Sequence, residues 1–369
     1  MTGGPASIGM PVSGGAECGV GCSIGTPSRR MTSLDGLRGI AAIAVVMHHA
    51  KVAPLDCPNA YLAVDFFFLL SGFVMGRSYD ATLRSGVAAT GFTWLRIQRL
   101  YPMLFIGGCL GWYMFPSTGA DGYFGPVVPF SLSKALISQF LLVPFLVTQT
   151  QYPFNGPQWS ILFEIIANHI HALFGPVLTD MVLMGIVLTS LGILVFTCQR
   201  FGTIDFGWGL DNVLRGLPRV TFGYFAGVLL FRYEGAWAAR TGRYPFWFVA
   251  GAVALALAMP HLSGFRYQDI ACLVIVFPVV LGLGRNAYGC DRIAAKLGTI
   301  SYPLYALHMP LLAGFELFYS LKQEGPALGL VTLALALAGC VCVAWAAGHW
   351  IDEPLNALRR RKVVRSSLR

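Results

Sequence analysis

Ten apolar stretches, near residues 39–55, 61–77, 100–116, 160–178, 181–198, 217–232, 246–263, 268–285, 301–321 and 327–351, leave this chain little to become except a bundle of membrane-crossing helices. In hydrocarbon every backbone polar group must find a partner within the protein, which restricts spanning segments to helices and closed barrels, and runs of about 17–25 apolar residues suit helices. Composition agrees, since 56% of the 369 residues are hydrophobic and 12% charged, against roughly 25% charged in a soluble domain, and the mean hydropathy is +0.64. The expected fold class is all-α, a polytopic membrane helical bundle with about ten transmembrane helices. Its 43 glycines and 21 prolines are compatible with membrane helices, whose neighbours re-satisfy the backbone groups such residues release.

Lysine and arginine decide the number of crossings, because short cytoplasmic loops carry an excess of both. An eleventh candidate, Ala135 to Thr150, is short and interrupted by Pro144, so its length fits a span or an interfacial helix. With ten spans and the N-terminus inside, nineteen of the 26 Lys and Arg residues face the cytoplasm. Counting the eleventh moves the later loops across and leaves twelve inside against fourteen outside. Ten spans with both termini cytoplasmic is therefore the expected topology.

The same scatter of basic residues accounts for the net charge of +9. They lie at the ends of apolar runs rather than in one basic domain, so no nucleic-acid partner is expected. The nine cysteines form no CxxC pair, and no HExxH spacing occurs. Neither a disulfide framework nor a metal site is expected. Residues 1–31 are rich in Gly, Ser and Pro without the apolar core of a signal peptide, and read as a disordered cytoplasmic tail. Residues 32–356 then form the membrane domain, and 357–369 a basic cytoplasmic tail.

Ionisable residues inside apolar runs are functional candidates, because hydrocarbon offers their polar atoms no partner. In LDGLRGIAAIAVVMHHA, Arg38 and His49 stand eleven residues apart, close to one helical face and roughly 16 Å apart along the axis. An arginine at the water surface thus marks a histidine near mid-membrane; a histidine satisfied by a neighbouring helix is the competing reading. In RIQRLYP, Arg96 and Arg99 share a face and can grip phosphates, or simply anchor the helix at the interface. Trp159, Ser160 and Glu164 fall within two turns, and Glu164, Asn168 and His171 follow one face. Tyr305 and His308 share a face between Pro303 and Pro310, an arrangement that also suits the filling of a kink. VDFFFLLSGF carries Asp65 and a Ser71–Gly72 pair that reads as close helix packing. No internal repeat of the kind many transporters show is visible.

Six pieces occur in order along the chain: LDGLRGIAAIAVVMHH with its arginine, ten residues, then histidine; VDFFFLLSGF; RIQRLYP; WSILFE; SYPLYALH; and WIDEPL. In these the chain resembles the acyltransferase family 3 of integral membrane O-acyltransferases, which modify sugars and secondary metabolites in bacteria. The resemblance implies a ten-span bundle in the bacterial inner membrane, a cytoplasmic acyl-CoA donor with acetyl-CoA as the default, and a hydroxyl acceptor on a glycan or other sugar-containing molecule. The donor is a co-substrate, and no permanently bound cofactor is expected. Carried onto this sequence, the motif histidine is His49 rather than His48, and the paired arginines are Arg96 and Arg99, placed to hold coenzyme A phosphates. Some relatives carry a fused extracytoplasmic hydrolase-like domain after the bundle; with the last residue at Arg369, such a partner is expected as a separate protein.

The expected mechanism has neutral His49 taking the proton of the acceptor hydroxyl as its oxygen attacks the thioester. Tyr305, Ser160 or a backbone N–H would supply the oxyanion donor. Arg38 and His308 are grouped with Arg96 and Arg99 on the donor side. Glu164 would orient the acceptor or an imidazole from the outer side, with Trp159, Ser160 and Asp65 on the acceptor. A covalent acyl-histidine intermediate stays open. A transporter or flippase using the same His, Glu and Arg residues as a proton or substrate path is the alternative, with a non-catalytic scaffold as a third reading.

Overall fold

A computed structural model describes residues 31–51, 56–86, 88–114, 132–144, 151–209, 211–319 and 326–359. The two tail expectations fall almost wholly outside these residues, and residues 357–359 complete the last helix. The described chain is helical, without a β-strand. Its helices are α1 Thr32–Ala50, α2 Ala63–Arg84, α3 Ala89–Met114, α4 Leu132–Leu141, α5 Gln158–Phe174, α6 Asp180–Phe201 and α7 Gly216–Arg232. Then follow α8 Glu234–Trp237, α9 Phe246–Ala258, α10 Gln268–Ala271, α11 Phe277–Arg285, α12 Asp291–Tyr319 and α13 Pro326–Ala347. A π-helical turn, Cys272–Val276, joins α10 and α11 into one rod, and a second, Gly348–Asp352, extends α13.

A helix overlies each of the ten apolar stretches. Five helical segments are long and apolar enough to cross a membrane by length and composition: Ala60–Arg84, Gln158–Val177, Asp180–Phe201, Gln268–Arg285 and Gly329–Arg359. The helices that carry Arg38, Arg96 and Arg219 are outside this group, and the last of them, α7, has 17 residues. In the undecided region near Pro144, α4 has ten residues and reaches only about 15 Å. Residues 145–150 lie outside the described residues.

The bundle has an apolar core, and apolar side chains also cover part of its exterior. Met181, Leu188 and Phe196 of α6 are exposed, while Asp65, Asp80, His171, Arg219, Asp269 and His308 are buried among the core. That distribution fits a lipid-facing exterior with ionisable groups turned inward. Small residues let the helices approach closely. A Cβ on Gly72 of α2 would lie 1.8 Å from the Tyr224 carbonyl oxygen of α7, and one on Gly39 of α1 would lie 2.5 Å from the Leu297 carbonyl oxygen of α12. The packing reading of Gly72 therefore holds, and α1–α12 and α2–α7 are the most closely apposed helix pairs. At the start of α6, Thr179 accepts a hydrogen bond from the Val182 N–H, a standard N-cap.

Prolines inside α12 do constructive work in this packing. Pro310 has no N–H, so the carbonyl of Ala306, four residues earlier, loses its helical donor. Asn155 Nδ2 donates to that carbonyl at 2.9 Å, tying the segment before α5 to α12.

One buried ion pair binds α2 to α7. Arg219 donates through Nε and Nη2 to Asp65 at 3.1 and 2.6 Å, and through Nη1 and Nη2 to the carbonyls of Phe206 and Tyr61. Both side chains are 1% exposed. Breaking such a pair leaves an uncompensated buried charge, which typically costs about 3–5 kcal/mol. Arg219→Met is accordingly expected to lower the detergent-solubilised thermal midpoint sharply, with Asp65→Leu/Arg219→Met recovering most of the loss. A single variant as stable as wild type would show that the pair does not secure these helices.

Candidate active site

Four helices each turn one face, at spacings of three or four residues, into a common cavity of about 160 Å³. From α2 come Val64, Phe67, Phe68, Ser71, Val74 and Met75; from α3 Arg96, Arg99 and Leu100; from α5 Ser160, Ile161 and Glu164; from α12 Ser301, Tyr302 and Tyr305. Arg38 of α1 completes the wall. The structure therefore gathers six of the expected site residues: Arg38, Arg96, Arg99, Ser160, Glu164 and Tyr305.

The arginines are already engaged. Arg96 Nη2 donates to Glu164 Oε1 at 3.1 Å, and Ser71 Oγ donates to the same oxygen at 2.6 Å. Arg96 Nε is buried with no partner among the described residues. Arg99 Nη1 donates to Asp352 Oδ1 at 2.5 Å, and its guanidinium lies 5.4 Å from the centre of the Tyr302 ring. Arg38, half-buried, lies 3.7 Å from Asp35. Such charge-assisted pairs hold the guanidinium planes still.

Tyr305 and Ser160 form a second group. Ser160 Oγ donates to the Pro157 carbonyl at 3.0 Å, and Tyr305 Oη lies 2.7 Å from Ser160 Oγ. Tyr305 Oη also lies 3.4 Å from the Pro157 carbonyl, so either hydroxyl can donate to the other while its partner donates to that carbonyl. Phe67 meets the Tyr305 ring edge-on.

His49 does not line this cavity. It occupies the last turn of α1, half-buried, at the opposite end of the helix from Arg38. The two are connected through rings. The His49 and His308 ring centres are 5.0 Å apart, and His308 and Tyr305 are 5.7 Å apart. His308 is fully buried and belongs with His49 in space rather than with the arginines. Its Nδ1 meets the Tyr305 carbonyl at 2.8 Å, and His49 Nδ1 meets the Val45 carbonyl at 2.9 Å. A carbonyl oxygen can only accept, so in both neutral rings the proton sits on Nδ1 and Nε2 presents its lone pair.

Two expected acceptor residues are held elsewhere. Asp65 is committed to Arg219, and Trp159 packs on Phe163 with the Arg219 guanidinium 5.5 Å from its ring centre. Glu164 Oε1 accepts from Arg96 and Ser71, so its partners there are a guanidinium and a hydroxyl. Ser71, read from sequence as packing, is instead a hydrogen-bond donor on the cavity wall.

Sequence reasoning missed Asp352 and Arg219. Asp352 lay in the quoted WIDEPL piece without a role. Arg219, near the start of the 217–232 stretch, drew no role from the sequence; an Asp65 in an apolar run was the available signal that a cation had to meet it. A buried chain below the cavity was also missed in part. Asn168 Nδ2 donates to the Glu164 carbonyl, Tyr224 Oη donates to Asn168 Oδ1, and His171 bridges Tyr224 and Asp80. The shared face of Glu164, Asn168 and His171 is as expected; their partners on α2 and α7 were not.

Contacting charges couple in stability by roughly 0.5–3 kcal/mol. Arg96→Ala is expected to destabilise more than Arg96→Ala/Glu164→Ala, as read by thermal unfolding of the four members of the cycle. Additive losses would mean that the two groups do not interact.

Residues 31–347 match the family model described as an acyltransferase domain. The chain is 25% identical over 342 residues to "Putative membrane-bound transacylase BcsY" of Komagataeibacter xylinus, covering 85% of this chain and 81% of that protein. It is 34% identical over 166 residues to "Protein 2 in picA locus" of Rhizobium radiobacter, 41% of this chain and 85% of that protein. It is 32% identical over 83 residues to "Putative O-acetyltransferase SAS0844" of Staphylococcus aureus, 21% of this chain and 13% of that protein. No solved structure matches the chain. With the family model extending over most of its length and the multi-helix apolar bundle beneath it, the chain belongs to the acyltransferase family and is a membrane O-acyltransferase.

Proposed function

We propose that the protein transfers an acetyl group from cytoplasmic acetyl-CoA to a hydroxyl of a glycan or other sugar-containing acceptor, with His49 as general base. In this reading it crosses the bacterial inner membrane ten times with both termini in the cytoplasm, so that the arginine end of α1 faces the donor and the histidine end faces the acceptor. The observation that carries the reading is the junction of a basic cavity with a line of rings leading to His49. Three arginines on one wall, Arg38 of α1 with Arg96 and Arg99 of α3, suit a polyphosphate donor. The unpartnered Nε–H of Arg96 leaves a donor for an incoming oxygen.

Size favours a short acyl group. A cavity of about 150 Å³ holds a benzene-sized guest, so the 160 Å³ here suits the thioester end of acetyl-CoA, with the nucleotide outside at the arginine rim. The thioester carbonyl would then lie near Tyr305, whose O–H can turn from Ser160 to a developing oxyanion.

The chemistry follows from the tautomer at His49. With Nδ1–H given to Val45, Nε2 accepts the hydroxyl proton while the oxygen bonds the thioester carbon. Collapse of the tetrahedral adduct breaks the C–S bond, and the thiolate takes the proton. Removing a general base typically costs 10²–10⁴-fold. His49→Gln is therefore expected to lose about that factor in release of free coenzyme A from acetyl-CoA by the purified chain, with the fold and donor binding kept; wild-type turnover would overturn the assignment. Arg96→Gln/Arg99→Gln is expected to weaken coenzyme A binding, measured by calorimetry, and unchanged affinity would remove the arginines from the donor site. Movement of an unmodified substrate across sealed vesicles without thiol release would favour a transporter instead.

A further inference from the structure

The helix that brings Arg96 and Arg99 to the cavity turns another face outward. Trp94, Ile97, Gln98 and Tyr101, set by helical spacing on the other side of α3, form the floor of a second hollow of about 820 Å³. Its walls are the end of α4, a face of α5 and the turns that continue α13. That volume falls within the roughly 300–1,000 Å³ of pockets that enclose an organic ligand. From Trp94 to Pro102 the floor runs about 12 Å along the helix axis. The hydrocarbon of one leaflet is about 15 Å deep, so the hollow has the length of a single leaflet.

One wall carries charge. Arg359, half-buried, lines the hollow. Its Nη1 donates to Asn356 Oδ1 at 3.0 Å, Asn356 Nδ2 donates to Asp352 Oδ2 at 3.1 Å, and the other oxygen of Asp352 is taken by Arg99. Arg359 thus ends a chain whose single carboxylate is paired with another arginine, and no carboxylate lies within ion-pair distance of it among the described residues. A guanidinium held by a neutral amide still offers donors and a whole charge to an anion. Arg359 also opens the run RRRKVVR, residues 359–365, and basic clusters that directly follow a membrane helix are attracted to anionic lipid. At the opposite wall Trp94, 59% exposed, is of the residue type that settles at the lipid–water boundary.

We propose that this hollow binds one anionic phospholipid, its phosphate on Arg359 and an acyl chain along the α3 floor. An apolar channel of single-leaflet length, bearing a guanidinium without a counterion, matches a molecule that joins a hydrocarbon chain to a phosphate. A neutral lipid would leave Arg359 without its counterion, and a soluble phosphate would leave the apolar walls uncovered. The site is independent of the acetyl-transfer reading, and α3 serves it and the arginine cavity from opposite faces.

The test is native mass spectrometry of the full chain released from detergent, with dioleoyl phosphatidylglycerol and dioleoyl phosphatidylcholine added in equal amounts. One phosphatidylglycerol should be retained per chain, about fivefold over phosphatidylcholine, the effect of one arginine facing an anionic lipid. Arg359→Gln should remove that preference. Gln98→Trp, which raises the floor at a half-buried position, should cut retention of both lipids in protein whose thermal midpoint shows it folded. Equal retention of the two lipids by the wild-type chain, or phosphatidylglycerol retention untouched by both substitutions, would overturn the proposal. Glycerol 3-phosphate retained as well as the phospholipid would overturn it by showing an anion site without a chain. A lipid-free pair of chains that Gln98→Trp separates would assign the hollow to a second copy instead.

Discussion

An arginine buried in a bundle that faces lipid needs its counterion before the helices around it can close. Asp65–Arg219 and Asp80–Arg232 join α2 to α7, Arg96–Glu164 joins α3 to α5, and Arg99–Asp352 joins α3 to the turn after α13. Lipid and the hydrophobic effect discriminate poorly between apolar helix faces, since acyl chains are as apolar as leucine. Charge pairs do discriminate, because a wrong neighbour strands two ions. The pairs thus select the arrangement, and small residues such as Gly72 and Gly39 let it close.

That arrangement gives α1 two different ends. Arg38 reaches the wall of the cavity, while His49 lies at the far end, beyond Tyr305 and His308. The site is consequently a line with unlike termini: guanidinium groups at one, imidazoles at the other, and a Tyr305–Ser160 hydrogen bond between them. Such a line suits two substrates that share no chemistry and need not enter from the same side.

Much of this was legible from local pattern. Helical spacing predicted that Arg38 and His49 lie at opposite levels of one helix, that Arg96 and Arg99 share a face, and that Glu164, Asn168 and His171 do too. The resemblance carried by six motifs grouped Arg38, Arg96 and Arg99 on the donor side and set Glu164 on the outer side; that Ser160, Glu164 and Tyr305 share the arginines' wall comes from the fold. The partners were not legible. Arg219 meets Asp65 across 154 positions and Arg99 meets Asp352 across 253, and nothing within a helical window encodes such distances. Ser71 shows the limit in miniature, because a serine beside a glycine packs or donates according to what stands opposite. Its partner, Glu164, comes from another helix. Trp159 likewise reads as a sugar platform until Arg219 is found against its ring.

The carboxylates beside the cavity arginines set the terms on which any anion enters. Glu164 and Asp352, with Asp35 beside Arg38, offset part of the positive charge of the cavity arginines. An anion entering there would compete with a tethered carboxylate for its guanidinium, so that its affinity would be the difference between two bonds rather than the strength of one.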